Sequence, residues 1–305
     1  MKVIKKIALT TVCALISNSA MHSMDWLRHT GRAAWENTRC LATERLRDAV
    51  YKGRVNEVRL LLHLGTDHTN GSLGDDGLMN LAAGGGSVDM IQLLLSHGLS
   101  PVGSYSYDGG NPIHRAASKD KHEAVGILLD YGADIEDSNG SNGSPLCTAA
   151  SIGATSTARL LLERGANKEC TGPSLGHALH SLTPLQLASY SGHTDMMQLL
   201  LGYGANLDTN GGYDRKARAI KYTLLHLAAT HCHIPAMVAL IAYDVDLEAR
   251  NRRGRTPLQH AACRPRCPFF PIDLEAVRQA TRLLISHGAD IAVKTNQQHH
   301  GRCDK

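Results

Sequence analysis

One short pattern recurs along this chain, and it constrains the fold more than any other feature. The segments GLMNLAA at 77–83, NPIHRAA at 111–117, SPLCTAA at 144–150, TPLQLAS at 183–189, TLLHLAA at 223–229 and TPLQHAA at 256–262 share their spacing. Successive first positions are 34, 33, 39, 40 and 33 residues apart. Five copies are followed, fifteen residues after the last Ala or its equivalent, by a turn starting at Gly98, Gly132, Gly165, Gly204 or Asp244. A degenerate copy precedes them, with Ala49 and Gly65 each 33 residues before Ala82 and Gly98. Recurrence at this period means one supersecondary unit stacked on itself, not a single round core. It overrides the one or two globular domains that 305 residues would otherwise suggest.

Each unit reads as two helices. A Thr or Ser at the start can accept exposed amides of a first turn. Pro112, Pro145, Pro184 and Pro257 then sit where a helix needs no donor. Paired alanines let neighbouring helices approach closely. A second helix carries apolar residues at helical spacing: Val88, Ile91, Leu94 and Leu95; Val125, Leu128 and Leu129; Ala158, Leu161 and Leu162; Met197, Leu200 and Leu201; Met237, Leu240 and Ile241. The glycine that follows suits a left-handed stop. These residues are scaffold, not site.

The recurring T-P-L-H-x-A-A opening, with Leu-Leu and Gly-Ala at correlated distances, resembles the ankyrin repeat family over residues 46–293. The resemblance implies an all-α ankyrin repeat solenoid of about seven helix-pair units with hairpin loops. It also implies a concave surface of first helices and loops that binds a protein or peptide. His114 and His226 match the motif histidine, which in that family supports the turn through hydrogen bonds; Asn80, Cys147, Gln186 and Gln259 stand in its place elsewhere. The local network is therefore expected to be weaker in those copies.

Departures from the period mark where the chain is individual. The fourth-to-fifth step carries ECTGPSLGHALHS at 169–181 and the next carries TNGGYDRKARAIK at 209–221, both enlarging hairpin loops. The seventh unit instead holds CRPRCPFFPID at 263–273 between its helices, and Asp273 is placed to cap a longer second helix over 274–288. Candidate partner contacts on loops or first helices are Tyr105, Tyr107, Tyr213, Arg252, Arg253 and Arg255. The arginines suit an acidic peptide or phosphate.

Residues 1–20 hold Lys2, Lys5 and Lys6, no acid, and a short apolar run from Ile7 to Ile16. That is the outline of a secretory signal peptide, with a short amphipathic leader as the competing reading. Cleavage would make the chain secreted and leave seven cysteines, an odd number; the repeat body favours a cytoplasmic or nuclear protein. Residues 21–45, with Trp26 and Trp35, read as a helical N-terminal cap, and 294–305 as a flexible tail.

The net charge is +4, and removing the three leader lysines leaves +1. With two Phe and two Trp as well, nucleic-acid binding is not expected. No apolar run reaches the length of a membrane span. No nucleophile–base–orienter set stands out, so no enzyme activity and no cofactor are expected. A thiol or metal site at Cys263 and Cys267, with His260 or His231 near, is the minor alternative, and free thiols are the default. The expected function is non-catalytic recognition or scaffolding; a secreted effector-like protein and a structural tether are the other readings.

Overall fold

The computed structural model describes residues 43–63, 74–102, 111–138, 143–170, 182–207, 222–251, 253–262 and 273–292. Seven helix pairs follow one another along them. The first is 43–51 (α1) with Val55–His63 (α2), so the degenerate copy is already helical three residues before the boundary at 46. Then come Gly74–Gly85 (α3) with Val88–Ser96 (α4), and Pro112–Ala117 (α5) with His122–Asp130 (α6). Pro145–Ile152 (α7) pairs with Thr155–Glu163 (α8), and Pro184–Ser191 (α9) with Thr194–Gly202 (α10). Leu224–Thr230 (α11) pairs with Ile234–Ala242 (α12), and Pro257–Ala262 (α13) with Leu274–Ser286 (α14).

The helices form two rows. First helices pack against first helices from α3 to α13, and second helices against second helices from α2 to α14. This is the seam that the alanine and leucine spacing predicts. Ala83, Ala116, Ala149, Ala188 and Ala228 are fully buried in one row, and Leu94, Leu128, Leu161, Leu200 and Leu240 in the other, all within one continuous apolar cluster. Burying each such leucine contributes roughly 1.5–3 kcal/mol. The stripe is narrower than the spacing alone suggests. Val88, Leu129, Leu201 and Ile241 are only half-buried, because each stands at the edge of the stripe, while Met90 and Leu93 join the buried set.

Helix starts follow their opening residues. Ser144, Thr183 and Thr223 accept the N–H of Cys147, Gln186 and His226, three residues on. Asn111 does not cap its helix; its amide nitrogen donates to the Asp137 carboxylate instead. Asp273 caps α14 by accepting from Glu275 and Ala276, and α14 runs 13 residues where the other second helices run nine, as expected from the insertion before it.

The turn inside each of the first six pairs holds a left-handed residue. Gly153 and Gly192 supply it, at φ +77° and +78°. They are also sterically required, since a Cβ would stand 2.8 Å from the His193 ring at Gly153 and 2.5 Å from the His233 ring at Gly192. Asp120 takes the same place in the third unit at φ +52°, and its carboxylate accepts the N–H of Thr157 at 2.9 Å. That bond supplies the N-terminus of α8 with the cap its own Ala154 lacks.

Hairpins are joined as well. Asp134, Asn167, Asp246 and Asp290 each accept the N–H two residues on, forming the same local turn in four units. Glu136, Glu169 and Glu248 then reach the next unit and accept the N–H of Asn167, Asn206 and Asp290 at 2.6, 2.8 and 2.7 Å.

Candidate protein-recognition site

The hairpin between the sixth and seventh units is built around Asn251. Its backbone exchanges bonds with Arg255 and Gly254, and its buried side-chain oxygen accepts the N–H groups of Arg253 and Arg255 at 3.0 and 3.1 Å. Gly254 makes the turn at φ +67°. These bonds tie the backbone of Arg253, Gly254 and Arg255 to Asn251. Arg253 is exposed and Arg255 half-buried. Neither has a carboxylate within ion-pair distance among the described residues.

First-helix residues close the floor beneath this tip. His226 Nε2 donates to the Arg255 carbonyl at 2.9 Å, which fixes the tautomer, so Nδ1 accepts the Thr223 hydroxyl at 2.8 Å. Thr230 donates its hydroxyl to the His226 carbonyl at 2.8 Å, leaving its oxygen to accept from His260 Nε2 at 3.2 Å. The Tyr222 ring lies 5.3 Å from that of His260, and the two histidine rings are 5.9 Å apart. Burial lowers the pKa of His226. Burial pushes His260 down to about 4, helped by His226, Arg255 and Arg253. Both rings therefore stay neutral with a single N–H each, and the positive charge of this corner is carried by guanidinium groups.

Of the residues singled out by sequence, Arg253 and Arg255 are brought together here, beside His226. Tyr105, Tyr107, Tyr213 and Arg252 lie outside the described residues, as do Cys263 and Cys267. Pro112, Pro145, Pro184 and Pro257 are buried at helix starts. His231, weighed as a metal ligand, stacks edge-on against Tyr190 at 4.5 Å. Among the described residues no group of three His, Cys, Asp or Glu side chains is placed to hold a metal ion.

The fourth motif position is more varied than a uniform weakening. His114 Nε2 donates to the Gly143 carbonyl at 2.7 Å, but its Nδ1 is buried without a partner because Asn111 has turned away to Asp137. Gln186 and Gln259 close reciprocal bonds with Thr183 and Thr256, so each glutamine strengthens its own helix start. Asn80 leaves both ends of its buried amide unsatisfied. Sequence reasoning missed Tyr222 and His260 as neighbours of the arginine hairpin. Their signal was available: Tyr222 directly precedes TLLH, and His260 replaces the buried Leu187 and Leu227 of the two preceding copies.

A groove lined by Gly153, Thr155, His193, Asp195 and Pro235 opens where helix pairs turn. His193 Nε2 is already engaged by the Ser151 carbonyl at 3.2 Å.

Comparison with known proteins agrees with this architecture. Models described as ankyrin repeats (3 copies) match residues 46–139 and 136–211, and one described as ankyrin repeats (many copies) matches 225–264. A transient receptor potential cation channel subfamily A member 1 homolog of Caenorhabditis elegans is 32% identical over 181 residues, covering 58% of this chain and 14% of that protein. The ankyrin repeat domain of human ASB11 superposes with a TM-score of 0.61 at 25% identity, over 78% of this chain and 96% of that one. The ankyrin repeat domain of Bcl-3, at 24% identity, gives 0.57 over 79% and 97%. The matches, the two rows of helices and the joined hairpins have one explanation: the chain belongs to the ankyrin repeat family.

Proposed function

We propose that this chain is a non-catalytic protein-recognition module and that it takes an acidic segment of its partner at the hairpin between its sixth and seventh units. Arrays of this family serve generally as scaffolds for protein–protein interaction. The observation that carries the finer reading is the pair Arg253 and Arg255, set on a tip ordered by the buried Asn251 with no carboxylate in ion-pair reach among the described residues. Guanidinium groups left without an internal counter-ion are suited to bidentate recognition of carboxylates. Tyr222 adds an aromatic surface alongside, the kind of residue that carries contact energy at interfaces. Tyr105, Tyr107 and Tyr213 are proposed as further loop contacts.

The test compares partners captured from the native cells by the full chain and by a variant in which Arg252, Arg253 and Arg255 are all replaced with Glu. The reading expects acidic partners to be lost while the helical circular dichroism is unchanged. Retention of the same partners at the same salt concentration removes this hairpin from the interface.

A further inference from the structure

Cys147 stands at the fourth motif position, where His114 and His226 stand in their units. A thiol there changes what the following hairpin meets. Cys170, at the end of that hairpin, places its Sγ 3.2 Å from the Cys147 Sγ and 2.9 Å from the Ser144 Oγ. Ser144 in turn accepts the N–H of Cys147 at 3.3 Å. Cys170 follows Ser144 by 26 residues, as Asp137 follows Asn111, so the fourth unit repeats the cross-hairpin contact of the third with sulfur in place of a carboxylate. Cys147 is 1% exposed, while Cys170 is half-buried and within reach of solvent. The hydrogen bond from Cys147 lowers the pKa of Cys170, while that contact and burial raise the pKa of Cys147. The two thiols thus have different roles: an accessible attacking sulfur and a buried resolving one.

We infer that Cys147 and Cys170 form a redox-modifiable dithiol, converted to an intrachain disulfide by exchange with a small disulfide of the oxidised-glutathione type. Cys170, as thiolate, attacks one glutathione sulfur; the glutathione S–S bond breaks, and the departing glutathione thiolate takes up the proton that Cys170 gave to solvent. Cys147 then attacks the Cys170 sulfur of this mixed disulfide. Its thiol proton leaves with the second glutathione. The protein loses two protons and two electrons, and one oxidised glutathione becomes two reduced ones. Closing the bond needs an approach of roughly 1 Å, from the thiol contact to the ~2.05 Å of a disulfide. The product ties the hairpin of the fourth unit to its own first helix, and the closed loop raises the urea midpoint of the protein.

The experiment equilibrates the full chain in glutathione buffers of increasing oxidised fraction, quenches with acid, alkylates and maps tryptic peptides. Peptides 122–159 and 169–215 each contain one cysteine, Cys147 and Cys170 respectively. The expected result is one cross-linked species of these two peptides, two mass units below their sum, lost on return to a reducing buffer. A Cys147→Ala variant should accumulate a glutathione adduct at Cys170, and Cys170→Ala should leave Cys147 unmodified. Separate alkylation of both cysteines across the whole range overturns the inference. So does a wild-type Cys170 adduct that Cys147 never resolves.

Discussion

The Glu136 carboxylate, in the hairpin of the third unit, accepts the backbone N–H of Asn167 in the hairpin of the fourth at 2.6 Å. Glu169 and Glu248 repeat the relationship one and three units later, so the hairpins are hydrogen-bonded into a row of their own. In a linear array, stability is a sum of unit terms and nearest-neighbour terms, and these bonds belong to the second kind. Glu136→Ala should cost about 1 kcal/mol and Glu136→Gln less, read as a shift of the urea midpoint. An unchanged midpoint for Glu136→Ala would show that the hairpins do not couple through this bond.

Leu128 and Leu200 are fully buried in the row of second helices. Truncating either to Ala should cost about 2–5 kcal/mol, the range for a core leucine whose site cannot collapse. Exposed Leu60 provides the control, where the same change should stay within about 0.5 kcal/mol. Chemical denaturation of the three variants checks both statements.

His260 is held neutral down to about pH 4 by burial and by the neighbouring His226, Arg255 and Arg253. In the unfolded chain the ring titrates near its ordinary value of about 6.5. Between these values the unfolded state binds the additional proton. The stability tied to the neutral ring is therefore complete above about pH 6.5 and is lost as the pH falls toward 4. His260→Leu should remove that part of the acid sensitivity, worth about 2 kcal/mol at pH 5. Urea midpoints of wild type and variant at pH 5 and pH 7.5 give the comparison; equal pH slopes would reject it.

Asp244 holds a left-handed conformation at φ +57° where five other units have glycine among the described residues. An L-residue pays about 1–2 kcal/mol there, and glycine gives back about 0.4–1 kcal/mol through its freer unfolded chain. Asp244→Gly should therefore stabilise the sixth unit by roughly 0.5–1 kcal/mol. A lower melting temperature for the variant would mean that the aspartate earns its place by a contact.

Features that repeat within one unit were readable from the chain alone. Pro145 before Leu146, or Asp273 before Leu274, acts on its own helix, and its role follows from local chemistry. Contacts that depend on how one segment settles against another were not. Cys147 and Cys170 lie 23 residues apart, and nothing in that interval says that the two sulfurs meet. Asp120 caps a helix through a residue 37 positions further on, which no local pattern announces. The same is true of the recognition corner. Arg253 and Arg255 were visible as a charge cluster, but Tyr222 and His260 join them only because α11 and α13 pack side by side.

Gly192 lies beneath the His233 ring, Gly153 beneath His193 and Gly86 beneath Lys121, whereas Asp120, whose counterpart in the next unit is Ala154, carries a side chain freely. These glycine turns are thus matched to the residue that faces them one repeat further on. The consequence is historical as much as structural: in a lineage of such chains, a bulky newcomer at the turn is tolerated only after its downstream neighbour has shrunk. Substitutions at these two places should arrive in order, small residue first, and a graft of one repeat into another array must bring its matching partner with it.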